Sequence, residues 1–239
     1  MKTVFRTPTK GYLLKAAPFT CNRFGLAEYF ARNFQEVPAT MSANVLDVGC
    51  GVGPISIFLA DQFKCQVVGV ELNGLACRDC MDNFSEHLRP GSARVVETDF
   101  SAFENHPDSR TFDLIVSNPP VSFASIPTNT PYPSNEAFKN PSAETFAFLT
   151  NWWRDPFGRD LLDLMFDYST RHLASVGSVA IAFCEIDGAT LPFVLAKAKR
   201  FGFAPSRIVS GTVTAESVGA RHLDSNRISA HYVVFKIGR

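Results

Sequence analysis

The stretch NVLDVGCGVG, residues 44–53, joins an apolar run to three closely spaced glycines, and PISIFLADQF follows at 54–63. The first run predicts a buried strand, and the second predicts a helix with proline in its first turn. Glycines 49, 51 and 53 permit a sharp turn and let a ligand approach the main chain. Structural turns and dinucleotide sites share this pattern. We therefore expect a strand–turn–helix unit with a candidate ligand-binding loop at its centre.

The same alternation of apolar runs continues along the chain. Further strands are predicted at 66–71, 93–98, 112–117, 175–186, 207–213 and 228–237, with helices at 75–88, 161–174 and 191–203. Strands that alternate with helices predict a mostly parallel sheet covered on both faces. The last two strands are separated by a loop, which predicts an antiparallel hairpin. The expected fold is a doubly wound α/β domain with a seven-stranded, mostly parallel sheet and a C-terminal hairpin.

The length of 239 residues suits one α/β domain. We interpret residues 1–40 as a short, partly helical arm, because residues 24–34 are amphipathic, and residues 41–239 as a single ligand-binding domain. Within that domain, residues 121–160 contain a long irregular stretch rich in proline, serine and threonine. Long irregular segments in compact domains are often functional. We therefore predict a loop on the substrate side of the site.

Composition narrows the possible partners. Lys plus Arg equals Asp plus Glu at 23 each, so no net charge favours nucleic acid. No run approaches the roughly 20 apolar residues of a membrane span, and the N-terminus lacks a signal-peptide core. We expect a cytoplasmic protein without a membrane partner. The six cysteines are dispersed, and CRDC at 77–80 has no second ligand pair, so no metal site is expected. The oligomeric state is left open.

Polar residues follow the next three strands where each one ends. Glu71 ends the second strand, Asp99 and Phe100 follow the third, and Asn118-Pro119-Pro120 follows the fourth. In doubly wound sheets, ligands bind beyond the carboxyl ends of the strands. A carboxylate at Glu71 suits ribose hydroxyls, and a carboxylate beside an aromatic ring suits an adenine. The strand ends together predict a site for an adenosine-containing ligand.

The segments LDVGCGVG, VVGVELN, VETDF and FDLIVSNPP resemble the four motifs of class I S-adenosylmethionine-dependent methyltransferases, over about residues 44–186. The likeness is to the branch with an Asn-Pro-Pro-aromatic motif. This branch includes release-factor glutamine methyltransferases, guanine-amine ribosomal RNA methyltransferases and adenine-amine DNA and RNA methyltransferases. The resemblance implies S-adenosylmethionine as the cofactor and nitrogen as the methyl acceptor.

Carried over residue by residue, the resemblance implies a set of cofactor contacts. The set is Asp47, Gly49, Cys50, Gly51, Glu71, Leu72, Asp99, Phe100 and Asn118. The residues of the glycine turn would line the methionine part of the cofactor. Glu71 would hold the ribose hydroxyls, and Asp99 with Phe100 would hold the adenine.

The Asn-Pro-Pro motif carries the predicted catalytic residues, Asn118 and Pro119. The lone pair of an amide or aromatic amine is delocalised, and methyl transfer requires it to point at the methyl carbon. Acceptors on the two N–H groups hold the nitrogen and favour a pyramidal geometry as positive charge develops. The side-chain oxygen of Asn118 and the carbonyl of Pro119 provide these acceptors. The prolines restrict the backbone that carries them.

The sequence departs from its relatives immediately after the prolines. Relatives have an aromatic residue where this chain has Val121, and Phe123 follows two residues later. Either Phe123 stacks on the acceptor, or the acceptor is not a large flat base. We predict that the substrate wall includes Pro120, Val121 and Phe123. Trp152 and Trp153 are further candidates, the alternative being that both are packing residues.

The sequence therefore predicts an S-adenosylmethionine-dependent N-methyltransferase. A small-molecule acceptor is favoured, because the charge is balanced and no separate recognition domain is visible. The alternatives are a macromolecular acceptor (a protein glutamine, or an RNA or DNA base amine) and a cofactor-binding subunit without activity of its own. An oxidoreductase is more distant, since nothing indicates a nicotinamide site.

Overall fold

The computed structural model describes residues 1–16, 23–35, 43–118, 160–185, 190–218 and 226–238. The strands are β1 (Lys2–Arg6), β2 (Gly11–Lys15), β3 (Asn44–Val48), β4 (Gln66–Glu71), β5 (Ala93–Glu97), β6 (Phe112–Ser117), β7 (Leu173–Cys184), β8 (Phe203–Thr214) and β9 (Arg227–Ile237). The helices are α1 (Gly25–Asn33), α2 (Pro54–Gln62), α3 (Gly74–His87), α4 (Leu161–His172) and α5 (Leu191–Arg200). Two short 3-10 helices span Phe100–Asn105 and Glu216–Val218.

The main sheet has seven strands in the order β5-β4-β3-β6-β7-β9-β8. Strands β5 to β7 pair in parallel, whereas β9 pairs antiparallel with both β7 and β8. The predicted fold class and its C-terminal hairpin are confirmed. The chain leaves β3 for β4 on one side, and β6 lies on the other side of β3. This change of direction places a ligand-binding crevice at the end of β3.

Two hydrophobic clusters cover the two faces of the sheet. One contains Ile57 and Leu59 of α2 together with residues of α1, and the other contains Met165 and Phe166 of α4. All four side chains are almost fully buried. Burying an aliphatic or aromatic side chain of this size contributes about 1.5–3 kcal/mol. The central strands are therefore held from both faces, and their ends are fixed relative to each other.

An antiparallel hairpin of β1 and β2 precedes α1, and the sequence analysis did not predict it. Its residues Phe5, Tyr12 and Leu14 are at most 1% exposed and belong to the same cluster as α1 and α2. Each strand has only five residues and exposes apolar side chains such as Val4 and Leu13 on its other face. The alternating pattern was thus too short and too apolar on both faces to stand out.

Two observed boundaries differ from the predicted ones by three residues or more. Helix α5 ends at Arg200, not at residue 203, because Gly202 adopts a left-handed conformation with φ of 81°. Strand β8 begins at Phe203, four residues before the predicted start at residue 207. The strand lies at the edge of the sheet and shifts register between Pro205 and Arg207, which accommodates a proline without a donor.

The buried cysteines contribute packing. Cys50, Cys65, Cys77, Cys80 and Cys184 are unpaired and buried, and Cys21 lies outside the described residues.

Within the described ranges, no three His, Cys, Asp or Glu side chains are grouped to hold a metal ion. The same part of the chain contains no helix with the length and hydropathy needed to span a membrane.

Candidate active site

Four predicted motifs meet at the carboxyl edge of the main sheet. Val48 pairs with Val70 on one side and with Ser117 on the other, so β3, β4 and β6 end at the same level. Glu71 pairs with Glu97, which brings the end of β5 alongside. The residues that follow these strands are therefore neighbours, in the order Asp99, Glu71, Gly49 and Asn118 across the edge.

The glycine turn after β3 is attached to β4 through its main chain. The backbone N–H groups of Gly49 and Cys50 both donate to the Val70 carbonyl, at 2.9 and 3.1 Å. Gly49 and Gly51 have φ of 69° and 57°, in the left-handed region that favours glycine. A Cβ placed on Gly51 would meet no atom within 4 Å. The turn thus presents an open, side-chain-free surface at Gly51.

Gly53 has a different role from Gly51. It precedes α2 with φ of 87°, and a Cβ there would lie 2.7 Å from the Phe84 ring and 2.8 Å from Cys80 Sγ. The missing side chain lets α3 pack against the start of α2. Gly53 therefore serves helix packing, and Gly51 leaves room above the turn.

Glu71 joins the glycine turn to the start of α3. Its Oε2 accepts from the Gly51 N–H at 2.9 Å, and its Oε1 accepts from the Asn73 N–H at 2.8 Å. Burial raises the pKa of the Glu71 carboxyl, although these backbone hydrogen bonds oppose the shift. Asn73 caps α3, since its Oδ1 accepts from the Leu75 N–H at 3.0 Å. The carboxylate is fixed in orientation and retains further lone pairs for a ligand.

Asp47 lies beneath the turn rather than on its surface. Asp47 is 1% exposed, and its Oδ2 accepts a hydrogen bond from Ser56 Oγ of α2 at 2.6 Å. Burial raises the pKa of Asp47 to about 7; the Ser56 hydrogen bond opposes this shift and the charge of Glu71 adds to it. Asp47 connects β3 with α2. Its contact with a cofactor stays a prediction.

The end of β5 carries the two residues predicted to hold an adenine. The carboxylate of Asp99 accepts from the Ser101 N–H at 2.9 Å and caps the short 3-10 helix. Phe100 is 7% exposed, and its ring centroid lies 6.1 Å from that of Phe103 and 5.4 Å from that of Tyr168. Phe100 is thus a core residue at the rim of the site, and its contact with adenine stays a prediction. Leu72, the residue after Glu71, is half-buried, and its contact with a cofactor also stays a prediction.

Asn118 follows β6 directly and is half-buried. The preceding residue, Ser117, is fully buried and donates from its Oγ to the Val48 carbonyl at 2.8 Å. This hydrogen bond ties the end of β6 to the end of β3, one residue before the glycine turn. The fixed strand ends therefore place Asn118 beside the turn. The remaining predicted residues, Pro119, Pro120, Val121, Phe123, Trp152 and Trp153, lie outside the described residues.

Two residues of this edge were missed by sequence reasoning. Asn73 is 2% exposed and fixes both Glu71 and the start of α3. An asparagine before a helical run is a recognised N-cap signal and could have identified it. Leu161 begins α4, and its Cδ2 would lie 3.8 Å from a Cβ on Gly49. That contact joins distant segments, so no local pattern indicated it.

The described residues fit an adenosine-containing cofactor. The turn at Gly51 offers main chain without a side chain above it, and Glu71 offers a fixed carboxylate next to it. Carboxylates at the ends of β4 and β5 can accept hydrogen bonds from hydroxyl and amino groups. On the other side of the turn, Asn118 can accept from an amine. The edge thus has groups suited to a nucleoside next to a side chain that can accept a hydrogen bond from an amine.

Comparisons with known proteins find methyltransferases among the relatives of this chain. The chain matches the family model described as Methyltransferase small domain over residues 27–129. A tRNA1(Val) (adenine(37)-N6)-methyltransferase of Bacteroides fragilis is 34% identical over 83 residues, which are 35% of this chain and 35% of that protein. The protein of the same description from Yersinia pestis is 39% identical over 89 residues, 35% and 34% of the two chains. The chain spans about a third of the length of the curated relatives it matches.

Solved structures show the same fold at low sequence identity. A methyltransferase of Pyrococcus furiosus superposes with a TM-score of 0.59 at 15% identity, covering 95% of this chain and 89% of that one. A putative transferase of Pyrococcus horikoshii has a TM-score of 0.57 at 12% identity, with 98% and 72% coverage. The family match and the fold confirm the resemblance to class I methyltransferases.

Proposed function

Because residues 27–129 match the model described as Methyltransferase small domain, we propose that this chain is an S-adenosylmethionine-dependent N-methyltransferase that acts on an adenine amine of RNA. One observation carries the proposal. The pairing of β3 with β6 places the glycine turn and Asn118 side by side at the carboxyl edge of the sheet. A donor site and an acceptor site next to each other are what direct group transfer requires.

On the cofactor side, the turn from Gly49 to Gly51 would line the methionine part and Glu71 would bind the ribose hydroxyls. Asp99 and Phe100 would border the adenine. When bound, S-adenosylmethionine supplies an electrophilic methyl group on a sulfonium. The chain itself contributes a rigid turn, since the main chain at Gly49 and Gly51 is already hydrogen-bonded to β4. Little ordering of these groups is then needed on binding.

On the acceptor side, Asn118 would accept a hydrogen bond from the amine through its side-chain oxygen. This acceptor holds the nitrogen in place and becomes more favourable as positive charge develops on it. The carbonyl of Pro119 is the proposed second acceptor. The nitrogen then loses a proton to water, so the chain needs no strong base. Positioning of the nitrogen is the main contribution that we assign to the protein.

The choice of RNA as the substrate corrects the preference for small molecules. The relatives named above are described as tRNA adenine-N6 methyltransferases, so their acceptor is a macromolecule. Balanced net charge does not oppose RNA, because local groups can contact phosphates at zero net charge. An adenine is also a large flat base, so Phe123 is the proposed stacking residue in place of an aromatic at Val121. A protein glutamine remains the alternative acceptor.

The proposal is tested by binding and by transfer. Titration calorimetry should show that the purified chain binds S-adenosylmethionine and S-adenosylhomocysteine. A radiolabelled methyl group should then reach bulk tRNA, and nuclease digestion should recover it as N6-methyladenosine. Tight NAD binding without binding of the methyl donor would refute the proposed chemistry.

The salt dependence of substrate binding separates the acceptor classes. An RNA substrate should bind with a log–log salt slope of about −0.7 per neutralised phosphate. A slope near zero, together with labelling of glutamine in a peptide and not of tRNA, would reassign the acceptor.

A further inference from the structure

Asn83 is a fully buried polar residue in the third turn of α3, with 0% of its surface exposed. Asparagine is a weak helix former, and an amide without partners inside a protein is costly. A buried asparagine in the interior of a helix therefore needs strong partners outside the helix.

Those partners come from two segments that are distant in sequence. Asn83 Oδ1 accepts from the Lys15 N–H at 2.7 Å, and Asn83 Nδ2 donates to the Lys15 carbonyl at 3.0 Å. The same Nδ2 donates to the Val52 carbonyl at 2.9 Å. Both N–H groups of the amide are used, so its donors are satisfied. One side chain thus connects the last residue of β2 to the glycine turn.

The contact with Val52 is important because of its neighbours. Val52 lies between Gly51 and Gly53, which have positive φ and no side chains to hold the turn. Glu71 holds the turn on one side through the Gly51 N–H. Asn83 holds it on the other side through the Val52 carbonyl. A turn made of glycines would otherwise sample many conformations.

We propose that Asn83 is a positioning residue for the cofactor turn and that it couples the end of β2, at Lys15, to that turn. The proposal rests on the proposed function, because S-adenosylmethionine is the ligand measured. Loss of the amide frees the Val52 carbonyl and detaches the end of β2. The turn then has to be ordered at the moment of binding, which lowers affinity.

The test compares Asn83→Ala and Asn83→Asp with Tyr12→Phe. Asn83→Asp keeps the acceptor for Lys15 and removes both donors. Tyr12→Phe removes the hydrogen bond from Tyr12 Oη to Asp61, at 2.8 Å, which anchors the hairpin to α2. We expect both Asn83 variants to raise the Kd for S-adenosylmethionine about tenfold. Tyr12→Phe should leave that Kd within twofold while lowering Tm. At saturating cofactor, kcat should stay close to that of the wild type in all three.

Two outcomes would overturn the inference. One is a folded Asn83→Ala or Asn83→Asp protein with wild-type affinity for the cofactor. The other comes from the wild type and applies even if both variants fail to fold. Saturating S-adenosylmethionine should slow hydrogen exchange at the Lys15 amide, and an unchanged rate would contradict the coupling. Failure of the wild type to bind S-adenosylmethionine would instead refute the proposed function.

Discussion

The two sides of the carboxyl edge differ in how their groups are held. On the cofactor side, the glycine turn, Glu71 and Asp47 are fixed by short hydrogen bonds to the strand or helix beside them. On the acceptor side, Asn118 is held through Ser117, and the other predicted residues come from a segment outside the described ranges. Recognition of a common cofactor can be built from main-chain turns. Selection of an acceptor requires side chains from distant parts of the sequence.

The largest expected effect concerns the acceptor side alone. Asn118→Ala removes the proposed acceptor of the amine N–H, so kcat should fall by a hundred- to a thousandfold, as about 3–4 kcal/mol of transition-state stabilisation is lost. The Kd for S-adenosylmethionine, measured by calorimetry, should change less than threefold. Asn33→Ala, the same substitution at the end of α1, is the control. An equal loss of kcat and cofactor affinity would show that Asn118 supports both sides of the edge and does not act on the acceptor side alone.

The next effect concerns the pH dependence of the cofactor side. The pKa of Asp47 is raised to about 7 by burial, so the folded state favours the protonated carboxyl. Its contribution to stability is complete below the unfolded pKa of about 3.9 and is lost as the pH rises through about 7. Relative to Asp47→Asn, the wild type should lose roughly 2 kcal/mol of unfolding free energy between pH 4 and pH 6.

Urea denaturation at several pH values measures this difference. Glu86→Gln is the matched control, since its exposed ion pair with Lys2 lowers the pKa of Glu86 and reverses the direction of the pH dependence. A difference between wild type and Asp47→Asn that does not vary with pH would mean that Asp47 ionises normally.

The smallest expected effect sharpens the cofactor side. Glu71→Ala removes the acceptor of the Gly51 and Asn73 N–H groups as well as the proposed ribose contact. We expect the Kd for S-adenosylmethionine to rise about tenfold, or about 1.4 kcal/mol. Glu97→Ala is the control, because Glu97 pairs with Glu71 across β4 and β5 but is exposed. Calorimetry that shows equal losses for both variants would remove Glu71 from the cofactor site.

The sequence predicted the seven strands of the main sheet because their apolar runs are bounded by glycine, proline or charge. The location of the motifs at the strand ends followed from this pattern and from the rule on parallel sheets, whereas their order across the edge came from the structure. The hairpin of β1 and β2 was not predictable in this way, since Val4 and Leu13 face solvent beside buried neighbours. The role of Asn83 could not be predicted from the sequence for another reason. Its partners Lys15 and Val52 are 68 and 31 residues away.

The residue roles show the same limit. Asp47 was predicted from its motif, yet only the fold shows that it bonds to Ser56 inside the protein. Phe100 was predicted as an adenine contact, and its packing against Tyr168 depends on a helix 68 residues further along. A local pattern indicates which residue types occur at a strand end. Their exposure depends on what packs over them.

The open space above Gly51 has a consequence for how this position tolerates change. At Gly53, the side chains of Phe84 and Cys80 occupy the space that a larger side chain would need. At Gly51 that space is open, and only the left-handed backbone conformation disfavours other residues. Asparagine and aspartate adopt left-handed geometry more readily than other residues. A saturation library should therefore accept these two at residue 51 for folding and reject nearly everything at residue 53. The fluorescence of a fused folding reporter, screened over variants at both positions, would distinguish the open space at residue 51 from the space at residue 53 that α3 occupies.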